Sequence, residues 1–209
     1  MLGRTHFAVG VAAGLLLIPP KTFPALAAGI GLSALGGVLP DIDSGTSEAH
    51  KDADKIMAVS ILAAGGAFVA EAFFHVGLFG KILQNGAIAR AVIAALVFLL
   101  VCAFGKEQPH RSFMHSILAL LILTACIAQI FPDAAAYFAV GFASHLAIDL
   151  LNRKREKLFY PIRRGICFSL CSSRGLVNRL LLALGILASA ALILTSIPVR
   201  NAVSMVLPG

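Results

Sequence analysis

Histidine and carboxylate side chains fall in four short clusters along a chain of 209 residues that is otherwise strongly apolar. The clusters are His6, Asp41 with Asp43, the run from His110 to His115, and His145 with Asp149. Imidazole nitrogen and carboxylate oxygen together are typical ligands of zinc and related divalent metals. The residue types therefore indicate a site for one or two divalent metal ions, with zinc as the best match.

The spacing inside two clusters would allow two side chains to bind the same metal ion. His145 and Asp149 are four residues apart, so on a helix they lie one above the other on the same face. Such a pair can hold one metal ion, or form a buried hydrogen bond that ties helices together. Asp41 and Asp43 follow Pro40 at a predicted helix end, where paired carboxylates bind a cation, act as a general base or cap a helix.

The third cluster adds an arginine to two histidines. Arg111 and His115 are four residues apart, which predicts that they face one way at the start of a helix. The planar guanidinium group suits phosphate or carboxylate recognition, so Arg111 is expected to hold an anionic substrate group. His110 is expected beside it as a catalytic group.

The elements that must position these residues are predicted to be membrane helices. The chain is 59% hydrophobic and 13% charged, whereas a typical soluble domain is about a quarter charged. We expect an all-α, polytopic membrane helix bundle in which the first two spans are short and could form a partial hairpin. The seven apolar segments lie at about 5–19, 23–39, 55–79, 86–105, 113–131, 134–151 and 176–198.

The whole chain, 1–209, is expected to form a single integral membrane domain. Cytoplasmic loops are expected at about 40–54, 106–112 and 152–175. An apolar run after Arg4 resembles a secretory signal, but cleavage would remove His6 from the motif set, so we expect a retained helix.

Counting helices places all four clusters on one side of the membrane, because each pair of spans returns the chain to that side. Thirteen lysine and arginine residues, Arg174 among them, are predicted on this side and four on the other. The positive-inside rule then places the clusters and the N-terminus in the cytoplasm and the C-terminus outside. The membrane topology accounts for the net charge of +7, so no nucleic acid partner is expected. The basic segment 152–175 is expected to lie against anionic lipid headgroups.

Together the motifs resemble the YdjM-like family, described as LexA-binding, inner-membrane-associated, metal-dependent hydrolases. The resemblance covers residues 3–185 and rests on His6 with Gly10, Leu39 to Asp43, His110-Arg111 with His115-Ser116, Gly141 to Asn152, and Leu158 to Pro161. The chain departs from the family pattern at Ser112, where glycine is expected, and at Asn152, where many members have threonine. The resemblance implies a bacterial inner-membrane hydrolase, and the family name alone implies contact with LexA.

These observations give one leading hypothesis, a metal-dependent hydrolase acting on a small-molecule or lipid-linked phosphoester. The expected catalytic residues are Asp43, Arg111 and His110, and the expected metal ligands are His6, Asp41, His115, His145 and Asp149. Two alternatives use the same residues: a metal-ion or proton-coupled transporter, and a non-catalytic membrane regulatory protein. A transporter would need ionisable residues across the bundle, where only Glu71 and His75 stand on the far side.

Overall fold

The computed structural model describes residues 1–45, 47–75, 77–173 and 175–206, so Arg174 lies outside the described residues. Its secondary structure is helical, and its only β-type pairings within these ranges are two isolated bridges. The helices are α1 (Gly3–Leu17), α2 (Phe23–Val38), α3 (Glu48–Phe74), α4 (Leu78–Gln84), α5 (Gly86–Lys106), α6 (Ile117–Ile130), α7 (Ala135–Leu150), α8 (Leu176–Leu194) and α9 (Ile197–Val206). Short 3-10 helices cover Leu39–Asp43 and Pro132–Ala134.

Polar side chains fix several of the helix starts. Thr22, Ser47, Asn85 and Ser116 each accept a hydrogen bond from a backbone N–H in the first turn of α2, α3, α5 and α6, respectively. These caps satisfy backbone donors that have no partner within the helix. The Ser116 hydroxyl therefore stabilises the first turn of α6.

Among the described residues, four helical segments are long and apolar enough to cross a membrane: Phe23–Asp43, Glu48–Phe74, Gly86–Lys106 and Leu176–Leu194. The predicted count of seven spans is not confirmed. Helices α1, α6 and α7 have 15, 14 and 16 residues, which gives about 21–24 Å at about 1.5 Å per residue. That is shorter than a hydrocarbon core of about 30 Å.

Glycine allows α1, α2 and α7 to pack backbone against backbone. A Cβ on Gly10 would lie 2.8 Å from the Ser33 carbonyl oxygen, and one on Gly37 would lie 2.7 Å from the His6 carbonyl oxygen. Gly141 of α7 makes a similarly close approach to Ser33. The three helices can therefore approach more closely than larger residues would allow, as in other tightly packed helix pairs. This packing brings the helix ends that carry His6, Asp41 and His145 together.

Two local predictions are wrong. The loop expected at 40–54 ends at Ser47, because the Ser47 hydroxyl caps α3 and the acidic stretch from Glu48 forms its first two turns. The helix expected from residue 113 begins only at Ile117, so Arg111 and His115 do not share a helical face. Instead they lie in an irregular segment in which Arg111 adopts a positive φ of 65°.

The polar segment between α7 and α8 folds back over this irregular segment. The Lys157 N–H donates to the Arg111 carbonyl at 3.1 Å, and the Ile117 N–H donates to the Leu158 carbonyl at 2.9 Å. Glu156 pairs with Ile166 through two backbone hydrogen bonds. The segment thus covers the site from the loop side, in addition to presenting basic residues to the surface.

Candidate metal centre

The structure brings the side chains of all four sequence clusters together. Potential ligand atoms lie within 4.8 Å of one another in three overlapping groups of three residues. The groups are His6, Asp41 and His145; Asp41, His110 and His115; and His115, His145 and Asp149. Every residue predicted from the sequence as a metal ligand belongs to at least one group, and the overlap leaves room for one or two ions.

Two histidines are oriented by hydrogen bonds at Nδ1. The His145 Nδ1–H donates to the Gly37 carbonyl at 2.7 Å, and the His115 Nδ1–H donates to an Asp43 oxygen at 3.2 Å. Each bond leaves Nε2 as the nitrogen that can accept a metal, which is how proteins commonly fix the tautomer of a ligating histidine. The two Nε2 atoms lie 3.3 Å apart.

The spacing of the donor atoms suits a common ion. Ligands about 2.1 Å from a tetrahedral zinc lie about 3.4 Å from one another. Here His6 Nε2 is 3.2 Å from Asp149 Oδ1, and Asp41 Oδ1 is 3.9 Å from the Nε2 atoms of both His115 and His145. The histidines and Asp149 are at most 1% exposed, whereas the Asp41 side chain is 14% exposed.

His6 has buried nitrogen atoms that a metal ion could satisfy. Its ring is fully buried and stacks on that of His145, with 3.7 Å between centroids. Neither ring nitrogen forms a hydrogen bond, although Asp149 lies close to Nε2. Buried polar atoms without a partner are costly and rare in native proteins, so the donor set fits a bound cation better than an empty core.

Asp43 contacts two histidines of the site. Its carboxylate accepts hydrogen bonds from His110 Nδ1 at 2.7 Å, His115 Nδ1 at 3.2 Å and the Arg111 backbone N–H at 3.0 Å. Asp43 belongs to none of the three groups of potential ligands among the described residues. Its contacts therefore orient two histidines, and its predicted role as a general base stays a prediction.

Arg111 also has an internal partner. Its guanidinium group pairs with Asp149 and donates to the Lys154 carbonyl at 2.7 Å, with a Glu156 oxygen 3.7 Å away. The residue is only 6% exposed. The Met1 amino group pairs with the other oxygen of Asp149. The structure thus shows Arg111 supporting a candidate ligand, while its predicted role as an anion clamp stays a prediction.

Sequence reasoning missed Glu156. Its carboxylate is fully buried and neither oxygen forms a hydrogen bond, although Arg111 is close. Burial, with the nearby charge of Asp149, raises the pKa of Glu156 to about 8. A single acid within the basic run 153–157 is typical of a surface ion pair, so the sequence gave no signal that Glu156 is buried.

The raised pKa of Glu156 gives a testable pH dependence. The folded protein keeps this proton up to about pH 8, whereas the unfolded chain loses it near pH 4.3, so stability should fall as pH rises between these values by about 1.4 kcal/mol per pH unit. We expect metal-free wild type to melt at a lower temperature at pH 8 than at pH 7, and Glu156→Gln to lose much of that difference. Parallel melting curves for the two proteins against pH would contradict this assignment.

Fold and site together define a helical protein of membrane type with a buried histidine–aspartate cluster able to hold a divalent metal ion. The chain belongs to the family of YdjM inner membrane proteins, whose family model matches residues 1–207. This match confirms the resemblance carried by the sequence motifs. No curated protein and no solved structure matches the chain.

Proposed function

We propose that the chain is an integral-membrane, metal-dependent hydrolase whose site faces the cytoplasm and acts on a lipid-linked phosphoester. The observation that carries the proposal is the convergence of histidine and aspartate donors, with the Nδ1 atoms of His115 and His145 already engaged elsewhere. Such a donor set favours zinc, held by His6, His115, His145 and Asp149, with Asp41 at the open side. The family's inner-membrane description and the apolar helices support the location.

The partial exposure of Asp41 favours catalysis over a purely structural ion. Structural zinc sites are closed by four protein ligands, whereas catalytic sites keep a position open to water or substrate. An ion bound here would polarise a phosphoryl oxygen and lower the pKa of a water molecule. Charge placement supports the cytoplasmic orientation, because most basic residues lie in the loops on the same side as the site.

His110 is the residue best placed to move a proton. Its side chain is 35% exposed, and its Nδ1–H donates to Asp43, which holds the ring and leaves Nε2 available. A carboxylate-held histidine at the edge of a site is a common general acid or base. In the hydrolysis step, the water oxygen would bond to phosphorus and release one proton to solvent as the bond from phosphorus to the leaving oxygen breaks. The imidazolium form of His110 would give its Nε2 proton to the leaving oxygen and regain a proton from solvent.

The test is turnover by purified protein in detergent, loaded with zinc, on phosphatidic acid, phosphatidylglycerol and an isoprenoid diphosphate. We expect turnover of at least one of these lipids that EDTA abolishes. His110→Ala should lower kcat by about 100-fold or more, within the usual contribution of proton transfer, while its metal content stays unchanged. Bound metal without turnover of any of the three would contradict the proposal, and metal flux into vesicles would then favour a transporter.

A further inference from the structure

A groove of about 690 Å³ leads to the candidate metal centre from the side. Its walls come from the first turns of α1, the end of α2 and the first turns of α3, and its apolar lining includes Leu2, Phe7, Val38 and Ala49. Volumes of about 300–1,000 Å³ are usual for ligand sites. The groove is therefore large enough to hold a substantial part of a ligand.

The groove reaches the metal site at Asp41. This residue lines the groove, and its Oδ1 is 3.9 Å from the Nε2 atoms of His115 and His145. Asp41 is also the one predicted ligand with appreciable exposure among the five. A molecule in the groove would consequently have one end at the donor cluster.

The groove lies between the adjoining ends of two candidate membrane spans. One candidate span ends at Asp43 and the next begins at Glu48, and residues near both of these ends line the groove. Helix α1 packs on α2, α7 and α8, whereas α3 packs on the 3-10 turn, α4 and α5, so α1 and α3 stand on opposite sides of the opening. Phe7 is 49% exposed at this opening. The apolar walls thus continue into surfaces that face lipid.

We infer that this groove admits a hydrocarbon chain of a membrane lipid laterally from the bilayer and places its phosphate-containing headgroup at Asp41. The inference rests on the proposed function and identifies its substrate as an intact lipid rather than a soluble ester. The carboxylates of Asp41, Glu48 and Asp52 line the groove too, and a divalent ion at the donor cluster would offset the charge of Asp41. Arg4 is the cation among the described residues that line the groove, and it stands in the first turn of α1. Its guanidinium group would contact the lipid phosphate, because arginine binds phosphate through its planar array of N–H donors and anionic headgroups attract basic residues.

Binding can be tested without turnover, because the chain contains no tryptophan. Phe7→Trp places a single fluorophore in the groove, and phosphatidic acid with brominated chains quenches indole on contact. We expect saturable quenching in dodecyl maltoside micelles, and roughly tenfold weaker binding when Ala49→Phe is added to fill the groove. Leu17→Trp, 67% exposed at the far end of α1, is the matched control and should show only linear quenching.

Activity measurements then distinguish the proposal that the groove binds lipid from the proposal that the protein is a hydrolase. With zinc-loaded protein, Ala49→Phe should lower kcat/KM for dioleoyl phosphatidic acid by roughly tenfold and leave the dihexanoyl form nearly unchanged, because short chains bury less surface. Ala58→Phe, on the exposed part of the same helix, should alter neither. Saturable quenching with no turnover would contradict the hydrolase but retain the groove. Two results would overturn the inference that the groove binds a lipid chain. One is equal linear quenching of the tryptophans at positions 7 and 17, and the other is an equal loss of kcat/KM for the dioleoyl and dihexanoyl substrates in Ala49→Phe.

Discussion

Replacing His145 by alanine is expected to remove the bound metal and with it all metal-dependent activity. The His145 ring lies at the centre of the candidate site, stacked on His6 and with its Nε2 3.3 Å from that of His115. Loss of an outer partner of a metal ligand alone costs about 10–100-fold in affinity. Loss of the ligand itself should exceed that range, so elemental analysis after dialysis should find zinc in the wild type and little in the variant.

A second substitution at His145 should remove the metal ligand and preserve the local structure. His145→Asn keeps an amide donor at the position of Nδ1, which can reach the Gly37 carbonyl, but it has no atom at the position of Nε2, so we expect metal loss without unfolding. His75→Ala is the matched control, because His75 follows the 27-residue helix α3 and so lies about 40 Å from the site at about 1.5 Å per residue. Equal metal content in wild type, His145→Asn and His75→Ala would contradict the metal centre.

The sequence predicted which residues meet, because helix ends are a simple consequence of apolar length. His6 begins one helix, Asp41 follows the next, and His145 with Asp149 occupies the last turns of a third, so few topologies could keep them apart. Burying ionisable side chains in an apolar environment costs free energy, so these residues stood out in the apolar sequence. The helical spacing of His145 and Asp149 also holds, since both lie on the buried face of α7.

The sequence did not predict the contacts made by the irregular segments. Nothing local indicates that Arg111 adopts a left-handed conformation, or that its guanidinium group turns toward Asp149. Nor does a pattern of residue types show that Glu156, which follows Arg111 by 45 residues (156 − 111), is buried beside it, in a segment where its backbone pairs with Ile166. These contacts depend on long-range packing of the polar segment over the site, which no periodicity encodes.

The number of membrane crossings was harder to predict for a related reason. Hydropathy marks apolar segments equally well whether they face lipid or other helices. Helix α7 buries nine of its 16 residues, including His145 and Asp149, within the bundle, whereas α3 has no buried residue among those described. A short apolar helix at the centre of a bundle and a long one in lipid therefore give similar sequence signals.

Replacing Arg111 by methionine is expected to destabilise the folded protein and weaken metal binding together. Its guanidinium group pairs with Asp149 and lies near Glu156, and all three side chains are at most 6% exposed. Removing one partner of a buried ion pair leaves an uncompensated charge and typically costs about 3–5 kcal/mol. Thermal melting in detergent and elemental analysis should both change, and Arg153→Met, at an exposed arginine in the covering segment, should change neither.

A double variant shows whether the effect comes from these carboxylates. The comparison is made at about pH 9, because the pKa of Glu156 is about 8 and the side chain carries a charge only above it. There Glu156→Gln removes a charge that Arg111 would otherwise offset, so Arg111→Met with Glu156→Gln should be more stable than the sum of the separate effects predicts. Asp149 would keep only the Met1 amino group as a cationic partner, and the rescue should therefore be partial. If Arg111 instead served only as an anion clamp, Arg111→Met would raise KM for the phosphoester and leave melting temperature and metal content unchanged, which would contradict its assignment as a support for Asp149.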